Sequence, residues 1–180
     1  PSLLERLKLN EAKVLGMAAA INKVITLEDP EGKLLKEYTH ENGLKMENKT
    51  VPFGKVLIIY ESRPDVTIEA SAVAFKAGNT VLLKGGKEAK ASNVALVNLW
   101  EEALNKNACD TELVRYLDLD REATQELIRN KSKKLDLIIP RGGEGLIDFV
   151  VKNAGAPVMT SGRGNNFLFV DKEADFEMAI

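Results

Sequence analysis

The strongest constraint on this chain is a set of short apolar runs that recur between segments of helical length. Val56-Leu57-Ile58-Ile59-Tyr60 shows no alternation of apolar and polar residues, nor does Thr80-Val81-Leu82-Leu83, and Leu135-Asp136-Leu137-Ile138-Ile139 comes close. A strand with one wet face alternates with a period of two, so an unbroken run marks a strand covered on both faces, as in a parallel sheet. Helical segments separate the runs. Asp65 can cap one that reaches about Lys76, where Gly78-Asn79 ends it. A longer one over 88–104 carries Val94, Leu96, Val97, Trp100 and Leu104. Asp120-Arg121-Glu122 opens a short helix to about Asn130, and another runs from about Glu144 to Lys152. Leu113 to Leu117, Pro157-Val158-Met159 and Phe167-Leu168-Phe169-Val170 are further strand candidates, the last expected to be buried on both faces. Alternating strands and helices predict an α/β fold with a largely parallel sheet and helices on both faces.

Ahead of this core, residues 11–25 place Val14, Leu15, Ala18, Ile21, Val24 and Ile25 at helical spacing, with Asn10 as N-cap. Residues 34–51 are more polar and carry Asn42-Gly43, a hairpin-turn signal between two weakly alternating segments. They predict a projecting β-hairpin. The reading divides the chain into N-terminal helices (1–33), a β-flap (34–51) and an α/β core (52–180). A formal net charge of −2 gives no reason to expect nucleic acid or an anionic membrane as partner. No apolar run approaches the ~20 residues of a membrane span. A single cysteine, Cys109, allows no internal disulfide, which fits a cytoplasmic protein. The first residue is Pro and the last residues resemble the opening of a helix, so the chain is expected to be part of a longer one.

Three loops carry the functional signal. The first buried run leads into Glu61-Ser62-Arg63-Pro64, the second into Lys84-Gly85-Gly86-Lys87, and a later one into Pro140-Arg141-Gly142-Gly143. In a parallel sheet the C-terminal strand ends share one edge, where ligands bind. Each loop delivers a cation there and leads into a helix, whose N-terminal amides and dipole favour an anion. Paired glycines in two loops let a ligand approach the backbone. Phosphate is the anion most often held this way. The bland alternative is that Arg63 and Arg141 pair with carboxylates such as Glu61 or Glu144, and that the glycines only serve turns. No G-x-G-x-x-G or Walker A spacing occurs, and one histidine, His40, with one cysteine makes neither a zinc site nor a Ser-His-Asp triad. Trp100 and Phe149 read as core, and Lys131 to Lys134 as a solvated loop.

At these residues the chain resembles the γ-glutamyl phosphate reductase (glutamate-5-semialdehyde dehydrogenase) family of proline biosynthesis, within the aldehyde dehydrogenase superfamily. The matching stretches are Val51 to Val56, Ile59 to Thr67, Lys76 to Glu88, Asp136 to Gly143, Gly164-Asn165 and Val170 to Asp175. The resemblance implies a Rossmann-like NADP(H) domain. It implies that Lys84 lies near the adenosine ribose, with Lys84 and Lys87 able to meet a 2′-phosphate. It implies that Arg141-Gly142-Gly143 starts the helix beside the pyrophosphate, and that Ser62-Arg63-Pro64 lines the channel towards the nicotinamide. Lys84-Gly85-Gly86-Lys87 and Gly162 complete the implied cofactor set. Residues 34–51 match a flap that packs on another subunit in this superfamily, implying a homo-oligomer for the whole enzyme.

The implied reaction reduces L-glutamyl 5-phosphate to glutamate 5-semialdehyde. A cysteine thiolate displaces phosphate to give a thioester, which NADPH reduces. Two departures matter. Hydrolytic relatives carry a glutamate base near Thr160-Ser161-Gly162, where this chain has no carboxylate, as suits an enzyme that releases phosphate. The family nucleophile belongs to a separate domain beyond Gly164, and Cys109, in the polar stretch Asn105 to Asp110, matches no catalytic motif. These 180 residues alone are therefore expected to be inactive, with no catalytic residue among them. The competing expectations are a nucleotide- or phosphometabolite-binding module without chemistry, and an interaction domain whose basic rim is merely solvated.

Overall fold

The structure is a computed structural model that describes residue 5 and residues 7–131, 134–161 and 167–179. Its centre is a four-stranded parallel sheet in the order β5-β4-β3-β6. Strand β3 (Lys55–Tyr60) pairs with β4 (Thr80–Lys84) on one side and β6 (Leu137–Arg141) on the other, and β5 (Val114–Tyr116) flanks β4. The unbroken apolar run of β3 is explained by this position, because every residue from Val56 to Tyr60 is buried. Val56, Ile58 and Tyr60 face one side with Val66, Leu83 and Val97. Leu57 and Ile59 face the other with Leu127, Ile138 and Val150. Each such side chain contributes about 1.5–3 kcal/mol by leaving water.

Helices α2 (Pro64–Lys76) and α3 (Lys90–Lys106) supply the first of these layers, and α4 (Arg121–Arg129) and α5 (Glu144–Asn153) the second. Asp120 caps α4 by accepting from the Ala123 amide at 2.8 Å. Helix α2 starts differently from the sequence expectation. Arg63 holds the N-cap position without a side-chain bond, Pro64 is the first helical residue, and Asp65 lies within the first turn. Proline favours that position because its fixed φ suits a helix start and its missing N–H would have no partner there. Helix α1 (Glu11–Thr26) is capped by Asn10, which accepts from Lys13 N at 2.9 Å. It docks through Met17 onto Ile68 of α2 and Leu96 of α3.

Strands β1 (Leu34–Thr39) and β2 (Lys45–Lys49) form the expected antiparallel hairpin. Its turn closes through His40 N to Leu44 O and Gly43 N to His40 O, both 2.8 Å, with Gly43 at φ 86°. Leu34, Leu35, Tyr38 and Leu44 stay exposed.

Two strand expectations need correction. Val158 forms a single parallel bridge to Ile138 and no longer strand. Residues 167–170 are irregular, with Phe167 and Phe169 92% and 85% exposed instead of buried on both faces. An apolar segment becomes a strand only where a sheet edge accepts its amides, and none is offered to these residues among those described. Among the described residues no helix is long and apolar enough to cross a membrane.

Candidate functional site

Register places the three loops side by side. Ile59 lies opposite both Lys84 and Pro140, and Tyr60 opposite Arg141, so the loops after β3, β4 and β6 leave the sheet at one level. Glu61 ties them together. Its amide donates to Arg141 O at 3.3 Å, and its Oε2 accepts from Gly143 N at 3.0 Å. On the other side, a Cβ on Gly86 would lie 3.5 Å from Ser62 N. The loops that carry Ser62, Arg63 and Pro64, Lys84, Gly85, Gly86 and Lys87, and Arg141, Gly142 and Gly143 therefore leave the sheet at one edge. Gly162, Gly164 and Asn165 lie outside the described residues, as do residues 132 and 133 of the Lys131 to Lys134 loop.

Charge at the rim is mostly uncommitted. Neither Arg63, Lys87 nor Arg141 forms an ion pair with a described residue, so the pairing with Glu61 or Glu144 is not seen. Lys84 is half-buried, and its Nζ donates to Gly85 O at 2.7 Å. Burial holds its pKa below the ordinary lysine value, against the opposing charges of Asp118 and Glu88. Asp118, just past β5, is itself paired with Lys90 at 2.6 Å.

The glycines have reasons the sequence did not disclose. None of Gly85, Gly86, Gly142 and Gly143 has a positive φ. What they need is space. A Cβ on Gly85 would lie 2.0 Å from Asn93 Nδ2, and one on Gly142 would lie 2.7 Å from the Glu61 carboxylate and 2.8 Å from Leu146 Cδ2. Packing thus accounts for two of the glycines without a ligand, while Gly143 has only the distant Glu61 at 3.8 Å. The left-handed residue of the rim is instead Ser62, at φ 41°. A non-glycine residue there carries strain of order 1–3 kcal/mol, and such strain clusters at functional sites.

A buried polar chain under the β4 loop was also missed. Tyr60 Oη lies 2.7 Å from Thr67 Oγ1, which donates to Asn93 Oδ1 at 3.0 Å. Thr67 and Asn93 are fully buried, and Asn93 Nδ2 has no partner among the described residues. Burial pushes the Tyr60 phenol well above its ordinary value, so it stays protonated. The only signal in the sequence was Asn93 standing among the apolar positions of its helix. Cys109, by contrast, is exposed in a turn, its Sγ 3.5 Å from Asn107 O.

The aldehyde dehydrogenase family model matches residues 12–180. The γ-glutamyl phosphate reductase of Nitratiruptor sp. is 46% identical over 180 residues, which are 99% of this chain and 43% of that protein. That of Carboxydothermus hydrogenoformans is 47% identical, again over 99% of this chain and 43% of the relative. The crystal structure of the Thermotoga maritima γ-glutamyl phosphate reductase superposes with a TM-score of 0.86 at 43% identity, covering 91% of this chain and 39% of that one. The chain thus spans less than half the length of the relatives it matches. With a parallel sheet, a shared basic rim and a family match over nearly all its length, the chain belongs to the aldehyde dehydrogenase family, and within it resembles the γ-glutamyl phosphate reductases.

Proposed function

We propose that this chain is the cofactor-holding part of an NADPH-dependent reductase that converts L-glutamyl 5-phosphate to L-glutamate 5-semialdehyde. The observation that carries the reading is the junction at Glu61, where the loops after β3 and β6 are hydrogen-bonded and the β4 loop lies alongside. The residues present fit a dinucleotide phosphate. Lys87 and Arg141 have no described ion-pair partner, and Lys84 has donated only one of its three N–H bonds. Gly143 leaves its amide approachable once Glu61 yields it.

The cofactor, when bound, supplies hydride; the chain's own task is to fix where that hydride is delivered, which makes the transfer effectively intramolecular. In this reading Lys84 and Lys87 hold the adenosine end, where two cations suit a 2′-phosphate better than a bare ribose hydroxyl. Gly142 and Gly143 at the start of α5 face the pyrophosphate. The strained Ser62 turn sets the direction of Arg63 and Pro64 along the channel towards the nicotinamide. The resemblance puts the nucleophilic cysteine in a further domain of the whole enzyme, which works in the cytoplasm as a homo-oligomer built through the hairpin.

Calorimetric titration with NADPH and NADH tests the assignment. NADPH is expected to bind more tightly, and the combined variant Lys84→Ala, Lys87→Ala, Arg141→Ala to lose that binding while keeping its thermal transition. Unchanged affinity in a folded triple variant would remove the site from this rim.

A further inference from the structure

The β4 loop rests on a buried side chain with one hydrogen bond still unmade. Asn93 lies near the start of α3 and has no exposed surface. Its Oδ1 accepts from Thr67 Oγ1 at 3.0 Å, and Thr67 Oγ1 lies 2.7 Å from Tyr60 Oη, so the acceptor end is anchored to α2 and β3. Its Nδ2 has no partner among the described residues. That donor faces the loop, because a Cβ on Gly85 would lie 2.0 Å from it. A buried donor left unmade is costly, and each one calls for a reason.

Lys84 shows the complementary feature. Its Nζ donates at 2.7 Å to the carbonyl of Gly85, its own neighbour. A cation that the rim should offer to an anion is thus occupied within its own loop. The Gly85 carbonyl and the idle Asn93 donor flank the same residue. Rotating the peptide between Gly85 and Gly86 swings that carbonyl off Lys84 and towards the asparagine. The next peptide stays in place, where Gly86 O accepts from Ala89 N at 3.2 Å. The rotation carries Gly86 from φ −63° to a positive φ, which glycine adopts freely and other residues resist. Packing does not demand glycine at that position. A Cβ there would meet the carboxylate end of Glu88 at 2.8 Å, which can move aside, and no other described atom closer than 3.5 Å.

We infer that Asn93 is a positioning residue for the anion grip, one that sets Lys84 free by taking over the Gly85 carbonyl. In the ligand-bound rim Asn93 Nδ2 donates to Gly85 O, Gly86 holds a positive φ, and the Lys84 ammonium turns to the adenosine end of the cofactor. One hydrogen bond replaces another, and the buried donor gains its partner. Asn93 itself touches no ligand, because it lies beneath the loop. The inference rests on the cofactor reading above and deepens it, since it names what governs the availability of Lys84.

The test is a double-mutant cycle read by titration calorimetry with NADPH, with a thermal melt of each protein. Asn93→Leu keeps a branched side chain in place and removes the donor. It is expected to bind NADPH roughly fivefold more weakly while keeping a cooperative melt. Gly86→Ala suits the free-state φ, so it should keep its Tm, and it should weaken NADPH roughly tenfold by resisting the positive φ. Acting through one rotation, the two losses are not additive, and the double variant should bind no more weakly than the weaker single variant. An alanine methyl that merely obstructs the ligand would multiply the two losses, and that result overturns the inference. The side-chain NH₂ resonances of Asn93 in the ¹⁵N-labelled parent chain give a readout that needs no variant. One of the two protons should move downfield as NADPH saturates. Resonances that stay still while the Gly142 and Gly143 amides saturate, or a folded Asn93→Leu that binds as tightly as the parent, sink the inference and leave the cofactor reading standing. If the leucine variant does not fold, Gly86→Ala and the resonances decide. A parent chain that does not bind NADPH sinks the cofactor reading, and the inference with it.

Discussion

Replacing Glu61 with Gln removes one negative charge from the start of α5 and keeps the side chain's shape. In the structure Glu61 Oε2 accepts from Gly143 N at 3.0 Å, the place expected for a ligand phosphate. A carboxylate at an exposed helix N-terminus is worth about 0.3–1 kcal/mol, and a charged hydrogen bond adds to that at the low end when solvent is near. Glu61→Gln should therefore destabilise the free protein by about 1 kcal/mol, a fall of about 2–4 °C in Tm for a chain of this size. The same substitution frees the amide and the dipole for a phosphate and removes a repelling charge. NADPH affinity should rise by about 1 kcal/mol, roughly fivefold, and the gain should shrink in high salt. Scanning calorimetry and titration calorimetry on one preparation read both quantities. Opposite signs are the signature. A variant that loses stability and also loses NADPH affinity would show that Glu61 supports the site and does not stand in its ligand's place.

Ser62→Gly should relieve the φ 41° strain and stabilise the fold by up to about 1 kcal/mol in a thermal melt; equal or lower Tm would contradict this. Lys84→Met should leave Tm unchanged or slightly raised, since burial disfavours the ammonium, and should weaken NADPH several-fold in calorimetry. Because the folded pKa of Lys84 is depressed, its charge penalty holds at neutral pH and lifts as pH rises from the folded value towards 10.5; chemical denaturation across that range should show Lys84→Met losing its advantage. Gly54→Ala should cost about 2 kcal/mol or more in denaturant melts, because Gly54 sits at φ 114° and a Cβ would lie 2.4 Å from the Asp136 carboxylate that holds Lys55 N.

The layout of the rim was legible because burial on both faces leaves an unmistakable trace in β3, and strand direction then puts every loop after a parallel strand at one edge. The hairpin, the Asn10 and Asp120 caps and the helix limits were legible for equally local reasons. What failed was long-range or conformational. Phe167 to Val170 reads as a strand, but no partner edge is described for it. Asp65 looks like a cap, yet Pro64 shifts the helix start so that Arg63 takes that place. The meaning of Gly85 and Gly142 depends on Asn93 and Glu61, which meet them only in three dimensions. The strain at Ser62 has no signature in a single sequence.

The most direct test of the central claim is an amide chemical-shift map of NADPH binding. Gly85, Gly86, Gly142 and Gly143 should shift together and saturate at one affinity, with Cys109 and the hairpin unmoved. Shifts confined to one loop, or spread over residues away from the C-terminal ends of β3, β4 and β6, would contradict a phosphate grip shared by that edge.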